Sequence, residues 1–546
     1  MTLLSALARL QSQTEALNPA PAKSSTIRYQ NVAEHSGLRF ALDNNATPEK
    51  HYIETMPGGI AAFDYNGDGK IDIYFTNGAA IPSLRKESAK FHNRLFRNDG
   101  GMRFTDVTAE AGVAGEGFSI GASAADYDND GYPDLFVAGV NRNILYHNNG
   151  KGSFEDVTAR AGINSGPWAV AGGWFDFDND GLLDLFVVNY VQWSFESERF
   201  CGDSDRRLRT YCHPRYFSEL PNTLYRNRGD GTFEDVSKKS GIDAFRGKGM
   251  AFAMADYDSD GRMDVFIAND AAPNFLFHNK GDGTFEEKGL QAGVAMRDDG
   301  ATISNMGADF RDFDNDGLPD ISVVALAGQT FPLFRNAGKG EFRDASFSSR
   351  MGRLTVSKSG WSAAFADFNN DGWKDLFVAC SHVNDLIEKF EAQRYKLNNA
   401  VFVNLGNGTF DDASEDAGLN KSTPKVHRGA AIADFNGDGK LDVVVSALNE
   451  PAELWQNTTA DGPNWLNIKL QGTRSNRDGI GASVRVDRQY NHMTTSFGYA
   501  SSSLASVHFG LGAKAVADEI EIHWPSGPIQ KLTGVKANQT LSVREP

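Results

Sequence analysis

"ADYDNDGYPDLFV" (residues 125–137) sets Asp126, Asp128, Asn129, Asp130 and Asp134 beside a segment that turns abruptly apolar. Six further stretches repeat it: "FDYNGDGKIDIYF" (63–75), "FDFDNDGLLDLFV" (175–187), "ADYDSDGRMDVFI" (255–267), "RDFDNDGLPDISV" (311–323), "ADFNNDGWKDLFV" (366–378) and "ADFNGDGKLDVVV" (433–445). The shared pattern is D-x-[DN]-x-D-G-x-x-D followed by a strand-like run. Oxygen ligands at positions 1, 3, 5 and 9, with Gly at position 6 for a sharp turn, suit a hard cation held by carboxylates and carbonyls, and calcium above others. Zinc would want His or Cys, which these stretches lack. An EF-hand would need a bidentate Glu at position 12. Here that position is Phe75, Val137, Val187, Ile267, Val323, Val378 or Val445, so the repeats are not EF-hands.

The expected ligands can be named loop by loop, with position 7 contributing its backbone carbonyl. They are Asp64, Asn66, Asp68, Lys70 and Asp72; Asp126, Asp128, Asp130, Tyr132 and Asp134; Asp176, Asp178, Asp180, Leu182 and Asp184. The fourth and fifth loops offer Asp256, Asp258, Asp260, Arg262 and Asp264, then Asp312, Asp314, Asp316, Leu318 and Asp320. The last two offer Asp367, Asn369, Asp371, Trp373 and Asp375, then Asp434, Asn436, Asp438, Lys440 and Asp442. The first, sixth and seventh loops carry three side-chain carboxylates and the others four. Such crowding is self-repelling without a cation. Up to seven structural calcium ions would offset most of the formal charge of −17. That charge argues against nucleic acid, which needs a basic footprint.

Around each loop lies a larger unit. "NILYHNNGKGSFEDVTARAGI" (143–163), "NTLYRNRGDGTFEDVSKKSGI" (222–242) and "NFLFHNKGDGTFEEKGLQAGV" (274–294) read as hairpins about Gly/Asn turns. Strand, calcium loop, strand, connection and hairpin make four antiparallel strands. Seven copies predict an all-β, seven-bladed β-propeller over residues 27–460. The seventh copy has "AELWQN" (452–457) but no fourth strand, whereas "IRYQNVAEHSG" (27–37) precedes the first loop and is expected to complete the last blade. A rod of calcium repeats is the alternative, but it would not need the hairpins. Residues 464–546 alternate apolar and polar positions between Gly turns and read as a small β-sandwich. Residues 1–26 read as a short amphipathic helix, with Leu3, Leu7, Leu10 and Leu17 at helical spacing, and a linker. They lack the features of a signal peptide, and no run of 18 apolar residues is present to span a membrane.

These residues resemble the FG-GAP/VCBS repeats of integrin α-chain propellers, and more closely the cartilage acidic protein 1 family. "HYIETMPGGIAAFDYNGDGKIDIYFTNG" (51–78) and "YCHPRYFSELPNTLYRNRGDGTFEDV" (211–236) carry that likeness. "WLNIKLQGTRSNRDGIGASVRV", "HFGLG", "IEIHWPSG" and "ANQTLSV" resemble the ASPIC/UnbV domain that follows the propeller there. The resemblance implies a calcium-binding protein that is exported, hence extracellular or periplasmic, and leaves its ligand open.

Cys201 and Cys212 lie in an irregular polar insertion, where a disulfide would contribute about 2–3 kcal/mol by loop closure; two free thiols are the alternative. Cys380 follows a strand and reads as core. "GFSIG" (117–121) matches G-x-S-x-G, but Ser119 enters a propeller strand, not a strand–turn–helix elbow. With antiparallel strands, all seven calcium loops share one face of the disc. The long insertions 38–55, 79–93, 190–222 and 381–400 share the other, where Trp193, Tyr211 and Tyr216 are expected to form a ligand face. The function expected is a monomeric binding or adhesion module for a protein, glycan or small molecule. The alternative is a propeller enzyme of cyclase, lyase or hydrolase type near the axis, with His51, Glu54, His213 and His382 as acid/base candidates.

Overall fold

The structure, a computed structural model, describes residues 26–546. The helix expected within residues 1–26 lies outside the described residues. Among the described residues, seven antiparallel units of four strands share one strand order, six of them as four-stranded sheets and the first within a sheet of six. The second runs Phe118–Ala125, Asp134–Val140, Ile144–Asn148 and Phe154–Asp156. The last holds His427–Ala433, Asp442–Ala447 and Glu453–Asn457, and its fourth strand is Tyr29–Asn31 from the other end of the chain. Tyr29 faces Asn457, Gln30 faces Gln456 and Asn31 faces Trp455, so the ring is closed by a clasp of N- and C-terminal segments.

A second closure runs around the ring through one residue type. The third strand of each blade carries a buried Asn, its last residue in all but the first blade, whose amide donates to the carbonyl of loop position 2 in the preceding blade. Asn148 reaches Tyr65, Asn227 reaches Tyr127, Asn279 reaches Phe177 and Asn336 reaches Tyr257, each at 2.8 Å. Asn404 reaches Phe313, Asn457 reaches Phe368 and Asn98 reaches back to Phe435, again at 2.8 Å. The circuit returns to its start after these seven steps. Each bond satisfies a carbonyl that burial would otherwise orphan.

The C-terminal region forms two sheets. One orders Val507–Gly512, Asn464–Gln471 and Gln539–Arg544; the other orders Gln489–His492, Ser483–Val486, Val516–His523 and Ile529–Lys536. Leu466, Ile468, Val484 and Ile522 from these sheets share one apolar core with Tyr127, Trp174 and Leu185 of the ring.

From this region the hairpin 494–503 leaves its own sheets and enters the channel of the ring. Innermost propeller strands carry unpaired backbone groups, and the hairpin supplies partners for them. Ser501–Ser503 pairs in parallel with the first strand of the first sheet. The N–H of Ile60 donates to Ser501 Oγ (3.1 Å), that of Ala122 to the Ala500 carbonyl (3.1 Å) and that of Ile432 to Ser503 Oγ (3.1 Å). A Cβ on Gly59 would stand 2.1 Å from the Ala500 oxygen, so glycine is required where the plug passes. Tyr499, fully buried, reaches the far end, donating to the Met56 carbonyl at 2.6 Å with its ring edge-on to Trp361.

Candidate metal centre

Each acidic loop is first a hydrogen-bonded turn. In the second, Asp126 Oδ1 accepts the N–H of Asp130 (3.0 Å) and Oδ2 that of Gly131 (2.8 Å), while Asp130 Oδ1 accepts that of Tyr132 (2.9 Å). Asp134 Oδ2 accepts from Tyr127 N–H (3.2 Å) and Oδ1 from Asn148 N–H (2.8 Å), which fixes the loop to the third strand. Positions 4 and 6 both take left-handed backbone: φ is 61° at Asn129 and 100° at Gly131. That conformation is tolerated by Asn and free to Gly. Position 4 is therefore a second constrained site, which the repeat pattern above leaves as x. In the second, fifth and sixth loops its side chain also bridges blades, as Asn129 to the Gly181 carbonyl (3.1 Å), Asn315 to Gly372 (2.9 Å) and Asn370 to Gly439 (3.1 Å).

These contacts leave carboxylate oxygens over. Asp178 Oδ1, Asp258 Oδ1, Asp312 Oδ1 and Asp314 Oδ1 are buried without a hydrogen-bond partner, and unsatisfied buried carboxylate oxygens are costly. Ligand atoms of Asp126, Asp128 and Asp130, of Asp176, Asp178 and Asp184, and of Asp256, Asp258 and Asp264 lie within 4.8 Å of one another. Burial pushes the Asp126 carboxyl up to about 8, with repulsion from Asp478 and the loop's own carboxylates adding to it, and the Asp134 carboxyl up to about 7. Asp72 is driven to about 8 in the same way. A divalent cation among these oxygens relieves both the desolvation and the repulsion, so the donor set fits a hard metal ion. At position 7 three side chains find carboxylates: Lys70 on Asp68 (2.9 Å), Arg262 on Asp260, and Lys440 on Asp461 (2.7 Å).

The C-terminal region sits over this loop face. Asp478 Oδ2 accepts the N–H of Asp126 (2.9 Å), Asn129 Oδ1 that of Arg477 (2.7 Å), and the Asn370 carbonyl that of Gly512 (2.8 Å). Lys374, buried, donates to the carbonyls of Asp312 and Tyr490 at 2.8 Å each. Trp465 lies so close over Gly439 that a Cβ there would fall 1.8 Å from its ring.

On the opposite face the insertion 190–222 is clamped to residues 44–56. Glu198 is the centre of the clamp: Oε2 meets His51 Nδ1 (2.5 Å), and Oε1 accepts from Tyr52 N–H (2.8 Å) and from Trp193 Nε1 (2.7 Å). Glu54 is fully buried and accepts from the Tyr211 hydroxyl (2.9 Å) and the Thr47 hydroxyl (2.6 Å). Two expectations are corrected here. Trp193 is only 2% exposed, and Tyr211 is held against Glu54 instead of standing free. A long insertion builds a small core of its own, and these two aromatics are in it. Tyr216 is exposed (39%), as is Phe200 (49%), which the sequence reading passed over. Cys201 and Cys212 are bonded, with Cα atoms 5.2 Å apart, and Cys380 is buried.

The four acid/base candidates are each spent on local structure. His51 and Glu54 are in the clamp, His213 Nδ1 accepts the N–H of Arg215 (3.2 Å), and His382 Nδ1 that of Asn384 (3.0 Å). The axis proposed for an enzyme site is filled by the plug. Ser119 is buried in a strand and accepts from Asn93 (3.2 Å).

The FG-GAP-like repeat family matches residues 64–137, 126–187, 215–267, 256–323, 312–378 and 392–445, and the ASPIC and UnbV family matches residues 472–546. Cartilage acidic protein 1 of Homo sapiens is 27% identical over 337 residues, 59% of this chain and 47% of that protein. The Xenopus tropicalis protein of the same name is 27% identical over 353 residues, 61% and 50% respectively. The chain spans about half the length of the curated relatives it matches. Among solved structures, an Agrocybe aegerita lectin recognising non-reducing terminal N-acetylglucosamine aligns with a TM-score of 0.40 at 17% identity, covering 83% of this chain and 98% of that one. YCF48 bound to D1 peptide aligns with a TM-score of 0.42 at 10% identity, covering 81% and 100%. No helix among the described residues is long and apolar enough to cross a membrane. The repeat matches together span more than half of the sequence: the chain belongs to the FG-GAP-like repeat family and carries an ASPIC and UnbV region at residues 472–546.

Proposed function

We propose that the chain is an exported binding module in which calcium, at up to seven loops, is structural, and the partner docks on the insertion-bearing face. The observation that carries this reading is the unequal covering of the two faces. The second, fifth, sixth and seventh acidic loops lie against the C-terminal region and all seven are tied into the inter-blade stitches, whereas Phe200 and Tyr216 stand exposed on a disulfide-pinned insertion. Exposed aromatics anchor glycans and proteins at little structural cost. The guanidinium groups of Arg199 and Arg215 lie 4.7 and 5.0 Å from the Tyr216 ring centroid, which favours a partner with anionic or hydroxyl-rich groups. A disulfide and millimolar-range calcium sites both suit an extracellular or periplasmic setting.

The test is a glycan and small-molecule array probed in excess calcium with the wild type, Asp130→Ala and the pair Phe200→Ala/Tyr216→Ala. Array signals are expected to persist in Asp130→Ala below its melting midpoint and to vanish in the aromatic pair. If the folded Asp130→Ala protein loses them while the pair keeps them, recognition belongs to the loop face.

A further inference from the structure

The residue just before each stitching Asn differs from blade to blade, and it stands beside that blade's own acidic loop. In the third blade it is Arg226, whose Nε lies 2.7 Å from Asp178 Oδ2 and whose Nη2 lies 3.2 Å from Asp180 Oδ2. In the fifth it is Arg335, with Nε on Asp314 and Nη2 2.7 Å from Asp316 Oδ2. Both guanidiniums thus bridge positions 3 and 5 of their loop. In the second and fourth blades the residue is His147 or His278, with Nδ1 3.1 to 3.4 Å from the carboxylates of positions 3 and 9. In the first, Arg97 turns away to Asp99 (2.8 Å), and the sixth and seventh have Val403 and Gln456. The pattern follows the loops themselves. At this position a basic residue faces the loop wherever loop position 3 is Asp (128, 178, 258, 314), and none does where it is Asn (66, 369, 436); Lys70 and Arg262, at loop position 7, reach only the position-5 carboxylate, whereas Arg226 and Arg335 hold positions 3 and 5 together.

Resting on the calcium reading above, we infer that Arg226 and Arg335 are built-in counter-cations that make the third and fifth loops a separate, weaker class of calcium site. An imidazole nitrogen can join a metal's ligands; a guanidinium has no lone pair to offer and only competes for the carboxylates. Calcium entering these loops must displace it or accept a like charge close by. A unit charge about 5 Å from a divalent ion changes affinity by about tenfold even at water-like screening. The two loops are therefore the last to fill and the first to empty.

Calcium-stripped full-length protein, titrated with CaCl2 by calorimetry and by equilibrium dialysis, reads this directly. The wild type is expected to show a weak class of two sites. Arg226→Gln and Arg335→Gln should each tighten one of them by about tenfold, and His147→Arg, which puts the same cation beside the second loop, where position 3 is Asp128, should move one strong site into the weak class. Circular dichroism in excess calcium establishes that each variant is folded, and the weakened site in His147→Arg keeps the test open if a Gln variant is not. Absence of calcium binding in the wild type overturns the calcium reading and the inference with it. Calcium binding with a site distribution unchanged by all three substitutions leaves the calcium reading standing and overturns the counter-cation role.

Discussion

On the loop face Asn148, Asn227 and their five counterparts make the same bond at the same 2.8 Å, and each loop repeats the same turn. On the opposite face no two connections match: Glu198 gathers His51, Tyr52 and Trp193 once, and Arg428 stacks once on Trp361, its guanidinium 3.8 Å from the ring centroid. Repetition has been kept where every blade must meet its neighbour and fold the same acidic turn. Irregularity has accumulated in the connections of the other face, as expected for loops on a rigid scaffold. The contrast also shows in the electrostatics: raised carboxyls recur from loop to loop, as at Asp72, Asp126 and Asp134, whereas on the opposite face burial raises Glu54 and Asp270 individually.

The largest expected effect separates the faces by chelation. Calcium modules outside cells bind at about 10⁻⁴–10⁻³ M, so at about 1 mM each site contributes about 0.4–1.4 kcal/mol and seven contribute about 3–10 kcal/mol. A melting curve with and without chelator should show a large fall in midpoint; an unmoved midpoint refutes structural calcium. Next, Trp193→Ala should cost about 3–5 kcal/mol, because it empties a buried indole site, while Tyr216→Ala stays within about 0.5 kcal/mol. Denaturant unfolding of the two variants checks this, and equal losses would mean that the insertion is packed throughout. A stitch comes third. Asn404→Ala removes side-chain bonds to the carbonyls of Phe313 and Lys374 and leaves them buried, costing about 2–4 kcal/mol in excess calcium. A loss below about 0.5 kcal/mol would show that the stitches do not hold the blades.

The smallest effect is on pH. Burial holds His382 down at about 4, against an ordinary 6.5, so the native state binds fewer protons than the unfolded chain in that window. Its contribution to stability is complete above pH 6.5 and is lost as pH falls toward 4. With calcium saturating, the slope of stability against pH across this range should flatten in His382→Asn. An unchanged slope would show that His382 titrates like an exposed imidazole.

The acidic loops were legible because their carboxylates and the Gly turn are local and leave a fixed spacing. The clasp was legible from a strand missing at one end and a spare one at the other. The stitches were written seven times, in "LFRN", "LYHN", "LYRN", "LFHN", "LFRN", "VFVN" and "LWQN", yet a search for metal ligands passes over an amide that binds carbonyls. The plug was not legible at all. "TTSFGYASSS" (494–503) is a run of small and polar residues whose partners come from strands hundreds of positions away. Trp193 was misread because burial of an insertion depends on how it folds on itself, which spacing does not reveal.

The plug also bears on how such a chain can change over evolutionary time. Tandem repeats are gained and lost by duplication and deletion, and an open array of blades could drift in number. A rod of fixed width through the bore forbids this. One blade more would leave Ser501 and Ala500 out of reach of the strands they now bond, and one fewer would drive the Ala500 oxygen into the backbone at Gly59. The C-terminal hairpin thus acts as a gauge that admits a ring of one circumference.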